Sequence, residues 1–242
     1  MQCTPSADAG PAAGSPLTAA SRVWPRGGRD TDVELWVLNL GDIDVDQLDA
    51  SALDLDERAR AEALALARVE DRAGYVAAHV LLRELLSGRM GLARSEVSYA
   101  REPCPSCGGP HGRPVLSEPC DAVHFSISRS AGAVLVGLAP VRVGVDVEAL
   151  PSSETAGEVG ALLHPAERAE IEAAPPARRP EVFARLWARK EAFLKGVGIG
   201  VAGDLAADYL GTQQRTPGPA GWTILDVPVG AGYAAAAAVQ RL

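Results

Sequence analysis

Residues 122–148 hold three strand-length apolar segments in succession, AVHFSIS, AGAVLVGLA and VRVGVDVE, with only a few residues between them. Connections this short leave no room for a crossover helix, so the segments predict adjacent antiparallel strands, with Ala139-Pro140 at a turn. The last segment alternates strictly: Val141, Val143, Val145 and Val147 fall on one face, Arg142, Gly144, Asp146 and Glu148 on the other. Its two carboxylates therefore point the same way, two strand steps of roughly 3.3 Å apart. They can converge on one hard cation, with Gly144 leaving space beside them for a ligand. An ordinary half-exposed strand with acids on its wet face is the plain alternative.

The remaining elements fall on both sides of this block. VELWVLNL at 33–40 reads as a strand, and helices are expected over Leu53–Arg68 and Arg72–Leu86. In the second, Tyr75, Ala78, Leu82, Leu85 and Leu86 recur at three- and four-residue steps, and Gly88 and Gly91 are natural stops. His79 shares that stripe and reads as a core histidine. SEVSYA at 95–100 is a short strand leading into a Pro/Gly/Cys loop at 102–114, and a Pro/Ser/Gly loop covers 151–160. Beyond it come a helix from Pro165, a helix from Glu181 to Lys195, and strands at 222–229 and 233–240. The two halves have similar content, which predicts an α+β fold of two small subdomains side by side, 31–149 and 150–242. Residues 1–30, rich in Ala, Pro, Ser and Gly, are expected to form a flexible tail.

Composition narrows the function. No apolar run in the 242 residues approaches the roughly 20 needed to span a bilayer. A net charge of −8 argues against a general nucleic-acid binder, so any anionic ligand must be met by local charge. Residues 1–30 lack the basic start and continuous apolar core of a secretory signal, which makes a cytoplasmic protein the expectation; a monomer is expected as well.

Positive charge is carried almost wholly by arginine; the chain has two lysines, Lys190 and Lys195, both inside RKEAFLK. On the expected helix, Phe183, Leu186, Phe193, Leu194 and Val197 form an apolar stripe, while Trp187, Glu191 and Lys195 follow its edge at four-residue steps. Glu191 there is suited to be a third oxygen ligand or a general base, and Lys195 to hold a phosphate. Lys190 falls within the apolar stripe, so its ammonium must reach a carboxylate or a ligand. A surface Glu-Lys pair with Trp187 as plain core is the bland alternative.

VGVDVE followed some forty residues later by LWARKEAFLKGVG resembles the paired signatures of the Sfp-type 4′-phosphopantetheinyl transferases. DRAGYVAAHVLLRELL, HGRPVL, HFSISRS and HPAE fall in the family's order ahead of that helix, so the likeness runs from about residue 33 to the end. The resemblance implies two pseudo-symmetric α/β subdomains, each a small mostly antiparallel sheet with packed helices, and an active site between them. It implies transfer of 4′-phosphopantetheine from coenzyme A to a serine of an acyl or peptidyl carrier protein, serving fatty-acid, polyketide or non-ribosomal peptide assembly. Asp146, Glu148 and Glu191 would then hold Mg²⁺, Glu191 would help deprotonate the serine, and Lys195 would contact the phosphates. Lys190 belongs to the same signature and is grouped with the coenzyme A contacts. Arg113, within Gly112-Arg113-Pro114, would lie against the adenine nucleotide. Ser128 and Arg129 stand where the family has Ser-His, a departure that keeps a phosphate-binding cation but alters its pH dependence. Arg68 and Arg72 are offered to the 3′-phosphate. A non-catalytic coenzyme A- or carrier-binding protein of the same descent is the alternative.

Two further features stand apart. Arg178, Arg179, Arg185 and Arg189 form a basic cluster suited to an acidic carrier. Cys104, Cys107 and His111, with Cys120 or His124 as a fourth ligand, carry one Cys-x-x-Cys signal for structural Zn²⁺. A single such pair with scattered partners is a weak signal, and reduced thiols or a local disulfide is the preferred state. A zinc-stabilised interaction module built around 104–124 is the third reading of the chain.

Overall fold

A computed structural model describes residues 10–11, 15–23, 32–44, 46, 48, 52, 55–117, 123–200, 203–213 and 218–241. Two antiparallel sheets stack face to face, each covered on its outer side by a long helix, which gives the expected α+β arrangement of two sheet-and-helix halves. The first sheet runs in the order β1 (Ser21–Val23), β2 (Glu34–Asn39), β6 (Ala133–Ala139), β5 (His124–Ser130). The second runs β7 (Val143–Ala149), β9 (Tyr233–Gln240), β8 (Trp222–Asp226). A two-stranded ribbon of β3 (Tyr99–Arg101) and β4 (Pro114–Leu116) stands beside them. Helices α1 (Glu57–Ala65) and α2 (Val69–Met90) precede β3; α3 (Ser153–Gly160), α4 (Pro165–Ala173) and α5 (Arg179–Val197) lie between β7 and β8.

Period-two alternation decides the layers. Leu35, Val37, Ala133 and Leu135 face inward and meet Val143, Val145 and Val147 in the core between the sheets. Their neighbours Trp36, Leu38, Val134, Val136 and Leu138 face outward under Ala77, Leu81 and Leu85 of α2. Both faces of β6 are buried, which is why its sequence is a continuous apolar run. The sheets approach so closely at Gly137 that an added Cβ would fall 2.5 Å from Val145 Cγ1.

Three expectations are corrected. Although β5 and β6 pair as foreseen, β7 leaves that sheet after Pro140 and pairs with β9, placing Asp146 opposite Ala236 and Glu148 opposite Ala234. The partner strand lies some ninety residues away and offers a small alanine face that no local pattern reveals. The expected tail is ordered at Ser15–Val23: Leu17 is fully buried, Ser15 Oγ donates to Glu84 at 2.8 Å, and β1 pairs with β2. Main-chain pairing needs no particular side chains, so a segment poor in apolar residues can still form an edge strand. The expected loop at 151–160 contains α3, whose Ser152 side chain caps Thr155 N–H at 3.1 Å.

Helix α5 is buried on nearly all sides. Ala188, Ala192 and Phe193 pack on the outer face of the second sheet with Trp222, Ala236 and Ala238, while Phe183 and Leu186 pack against Ala156 of α3 and Ile171 of α4. Complete burial of a residue such as Leu186 stabilises the fold by about 1.5–3 kcal/mol. The helix lies directly on β7, since a Cβ at Gly144 would sit 2.0 Å from Ala192 O and 2.3 Å from Gly196 N. The space beside Gly144, expected for a ligand, is therefore filled by helix backbone. Among the described residues no helix is long and apolar enough to cross a membrane.

Candidate active site

Strand β7 and helix α5 bring four predicted residues together. Asp146 is 1% exposed, and its Oδ1 accepts from Ser128 Oγ at 2.8 Å and from Lys195 Nζ at 2.5 Å. Lys195 Nζ also donates to Ser128 Oγ at 3.0 Å, closing a triangle of lysine, serine and aspartate. Two residues along the strand, Glu148 accepts from Ser130 Oγ at 3.1 Å and from Trp187 Nε1 at 3.2 Å. Glu191 lies one helical turn before Lys195 and is buried.

Burial raises the proton affinity of all three acids, and the Asp146 charge adds to it at Glu148 and Glu191. Burial pushes the Asp146 carboxyl up, against the opposing pull of Lys195 and Ser128. Glu148 is raised by burial and then by Asp146. Glu191 is raised to about 7, by burial first and by the Asp146 charge second. Six buried side-chain polar atoms among the described residues have no hydrogen-bond partner; four are nitrogens, and the two oxygens are Asp146 Oδ2 and Glu191 Oε1. Two unmatched acceptors within one cluster of acids fit a hard cation, whose oxygen ligands would satisfy both. The trio is drawn together less tightly than another group: among the described residues, Cys104, Cys107 and His111 alone bring their ligand atoms all within 4.8 Å of one another. Like charges repel, and Lys195 and Ser128 both hold Asp146 Oδ1.

Lys195 connects these acids to open space. It lines a cavity of about 300 Å³ together with Tyr75, Tyr99, Gly112, Arg113 and Phe125. It also lines a second, of about 380 Å³, with Tyr75, Ser128 and Arg129. Arg113 reaches the first cavity with its guanidinium already paired, Nε to Glu102 Oε2 at 2.7 Å and a terminal nitrogen to Oε1 at 2.8 Å. That pairing holds the Glu102 carboxyl below the usual range. Exposed Arg129 lies over the Tyr75 ring, 5.6 Å from its centroid, and donates to Asp71 O at 3.3 Å. His79, read as core, also borders both cavities, with Nδ1 2.7 Å from the Tyr99 hydroxyl. Burial lowers its pKa to about 4, so the ring is neutral near pH 7.

Other predicted residues lie elsewhere. Lys190 is sealed in the core on Glu167 Oε2 at 3.0 Å and donates to Asp208 O, so it lines neither cavity; it reaches a carboxylate rather than a ligand. Exposed Arg68 pairs with Glu70 at 3.7 Å, and Arg72 donates to Leu66 O at 3.3 Å. Neither lines the cavities. The basic cluster is also reduced: Arg189 is buried against Asp226 and three carbonyls, and Arg185 shares Asp226. Arg178 and Arg179 remain exposed.

Sequence reasoning missed the way β5 supports the acids. Ser126, Ser128 and Ser130 recur at every second position and face β7, where Ser126 Oγ accepts Val145 N–H at 3.1 Å and Ser130 Oγ accepts Ala149 N–H at 3.2 Å. A serine row at period two, opposite Phe125 and Ile127 on the strand's other face, was a readable signal for this junction.

Comparison with known proteins finds matches over the elements that carry these residues. Residues 142–224, which carry β7 and α5, match the model of the 4′-phosphopantetheinyl transferase superfamily. The chain is 28% identical over 176 residues to the 4′-phosphopantetheinyl transferase HetI of Nostoc sp., covering 71% of this chain and 70% of the relative. It is 28% identical over 156 residues to a putative 4′-phosphopantetheinyl transferase of Synechocystis sp., covering 63% and 60%. A 4′-phosphopantetheinyl transferase of Bacillus subtilis is 24% identical over 133 residues, 55% of each chain. The chain is thus similar to 4′-phosphopantetheinyl transferases over most of its length, and the superfamily's model matches the part that holds β7 and α5.

Proposed function

We propose that this protein moves 4′-phosphopantetheine from coenzyme A to the serine of an acyl or peptidyl carrier protein, releasing 3′,5′-ADP. The observation that carries the reading is the pair of buried, unmatched oxygens, Asp146 Oδ2 and Glu191 Oε1, beside a cavity-lining lysine. Asp146, Glu148 and Glu191 would hold Mg²⁺, which supplies charge neutralisation for the pyrophosphate. Lys195, already on Asp146 and Ser128, has one N–H left to turn toward a phosphate oxygen in the adjoining cavities. Glu191, directly or through water, would take the proton of the carrier serine as its oxygen bonds to phosphorus and the bond to 3′,5′-ADP breaks. Ser128, Ser130 and Trp187 hold Asp146 and Glu148 in place. Ser128 thus acts on the aspartate as well as bordering the phosphate cavity. Arg113 walls the nucleotide side and Arg129 stands at the rim of the second cavity.

Incubation with apo-carrier proteins, coenzyme A and Mg²⁺ should add the phosphopantetheine mass to the carrier. Glu191→Gln should slow the transfer by about 10²–10⁴-fold, the range typical of a lost general base, and Asp146→Asn should abolish Mg²⁺ dependence along with activity. Coenzyme A binding without transfer to any carrier class would overturn the assignment in favour of a non-catalytic binding protein.

A further inference from the structure

The loop Glu102–Pro114, between β3 and β4, gathers Cys104, Cys107 and His111 so that one ligand atom of each lies within 4.8 Å of the others. We propose that this loop is a zinc knuckle, with Zn²⁺ held by Cys104 Sγ, Cys107 Sγ and His111 Nε2. A tetrahedral site with the usual bonds, about 2.3 Å to sulfur and 2.0–2.1 Å to nitrogen, has edges of roughly 3.4–3.8 Å, so the three atoms need little movement to share an ion. Cys107 Sγ and His111 Nε2 already lie 3.0 Å apart.

The backbone around them is folded to point N–H groups at sulfur. Gly109 N–H donates to Cys107 Sγ at 3.4 Å, and the N–H groups of Cys107 and Ser106 are directed at Cys104. Such donors spread the charge of coordinating thiolates, the outer-shell support that metal sites need. Reciprocal main-chain bonds, Gly108 N–H to Cys104 O at 2.8 Å and Cys104 N–H to Gly109 O at 2.7 Å, close the turn. Gly108 has φ +73°, and a Cβ on Gly109 would sit 3.0 Å from the His111 ring and 3.3 Å from Cys107 Sγ. Gly108 supplies the left-handed backbone of the turn, and Gly109 leaves the two side chains room to fold over it. Cys104 is buried and both cysteines are free thiols, while Cys107 and His111 are exposed. With Cys107 and His111 exposed, a solvent ligand would fill the fourth position at this open edge.

A bound ion would clamp the loop whose far end, His111 to Pro114, lines the 300 Å³ cavity. The site shares no ligand with Asp146, Glu148 and Glu191, so it stands or falls independently of the transfer reaction.

The full chain, purified under reducing conditions from zinc-supplemented cells, should contain about one zinc per molecule by elemental mass spectrometry. Cobalt exchange should give a sulfur-to-metal charge-transfer band. Cys107→Ser and His111→Gln should each reduce bound zinc at least several-fold, with circular dichroism confirming that the variants fold, whereas Glu191→Gln should keep it. Wild-type protein with less than about a tenth of an equivalent of zinc and no cobalt band would overturn the proposal. So would full zinc retention by folded Cys107→Ser, or a Cys104–Cys107 disulfide in freshly purified metal-free chain.

Discussion

Helix α5 carries two buried charge sites one turn apart, and they are built on opposite terms. Around Lys190 every partner is matched: Glu167 Oε2 takes the ammonium and His164 N–H, Oε1 takes Leu210 N–H, and Asp208 O completes the shell. Around Lys195 there are three acids for one ammonium, two of their oxygens have no partner, and Glu191 is held near neutrality. The first arrangement pins α4 and the segment near Leu210 onto α5. The second leaves coordination unfilled where a cavity opens. Buried charge that is fully paired serves the fold; buried charge left short of partners marks the place where a ligand must complete it.

This contrast can be broken by experiment. Removing one member of the matched pair should do the most damage: Lys190→Ala strands Glu167 and is expected to cost about 3–5 kcal/mol in urea unfolding. Lys195→Ala should cost distinctly less, because its side chain is 31% exposed, and should instead raise the KM for coenzyme A. Equal destabilisation by the two variants would erase the distinction. Gly144→Ala sharpens the link between them, since the added methyl would press β7 off α5 at Ala192 O; a loss of at least about 1–3 kcal/mol is expected by the same measurement.

The smallest effects concern pH in the metal-free chain. Glu191 titrates at about 7 when folded and near its ordinary 4.5 when unfolded, so its contribution to stability is present below 4.5 and is lost as pH rises to 7. His79 runs the other way: held at about 4 against an ordinary 6.5, it contributes fully above 6.5 and less as pH falls toward 4. Thermal melts in a chelator should show Glu191→Gln flattening the decline toward pH 7 and His79→Gln flattening the decline toward pH 4. No change in either slope would contradict the burial that sets these values.

Much of the site was legible because its determinants are local. Alternation put Asp146 and Glu148 on one face of a strand, and four-residue spacing put Trp187, Glu191 and Lys195 along one edge of a helix; the structure retains both relations. The requirement that Lys190 find a carboxylate or ligand was also sound, although only the fold could say that Glu167 meets it. Arg68 and Arg72 show the limit, because helical spacing brings two guanidiniums near each other without saying what they face.

The sequence alone determined which residues could share a face, since backbone geometry fixes side-chain direction at periods of two and 3.6. It also determined the family likeness, carried by motifs in order. Tertiary structure decided the rest: that β7 joins β9 instead of β6, and that helix backbone fills the space at Gly144. Those outcomes depend on which surfaces fit at close range across long stretches of chain, and that fit is a property of packing, which no single segment encodes.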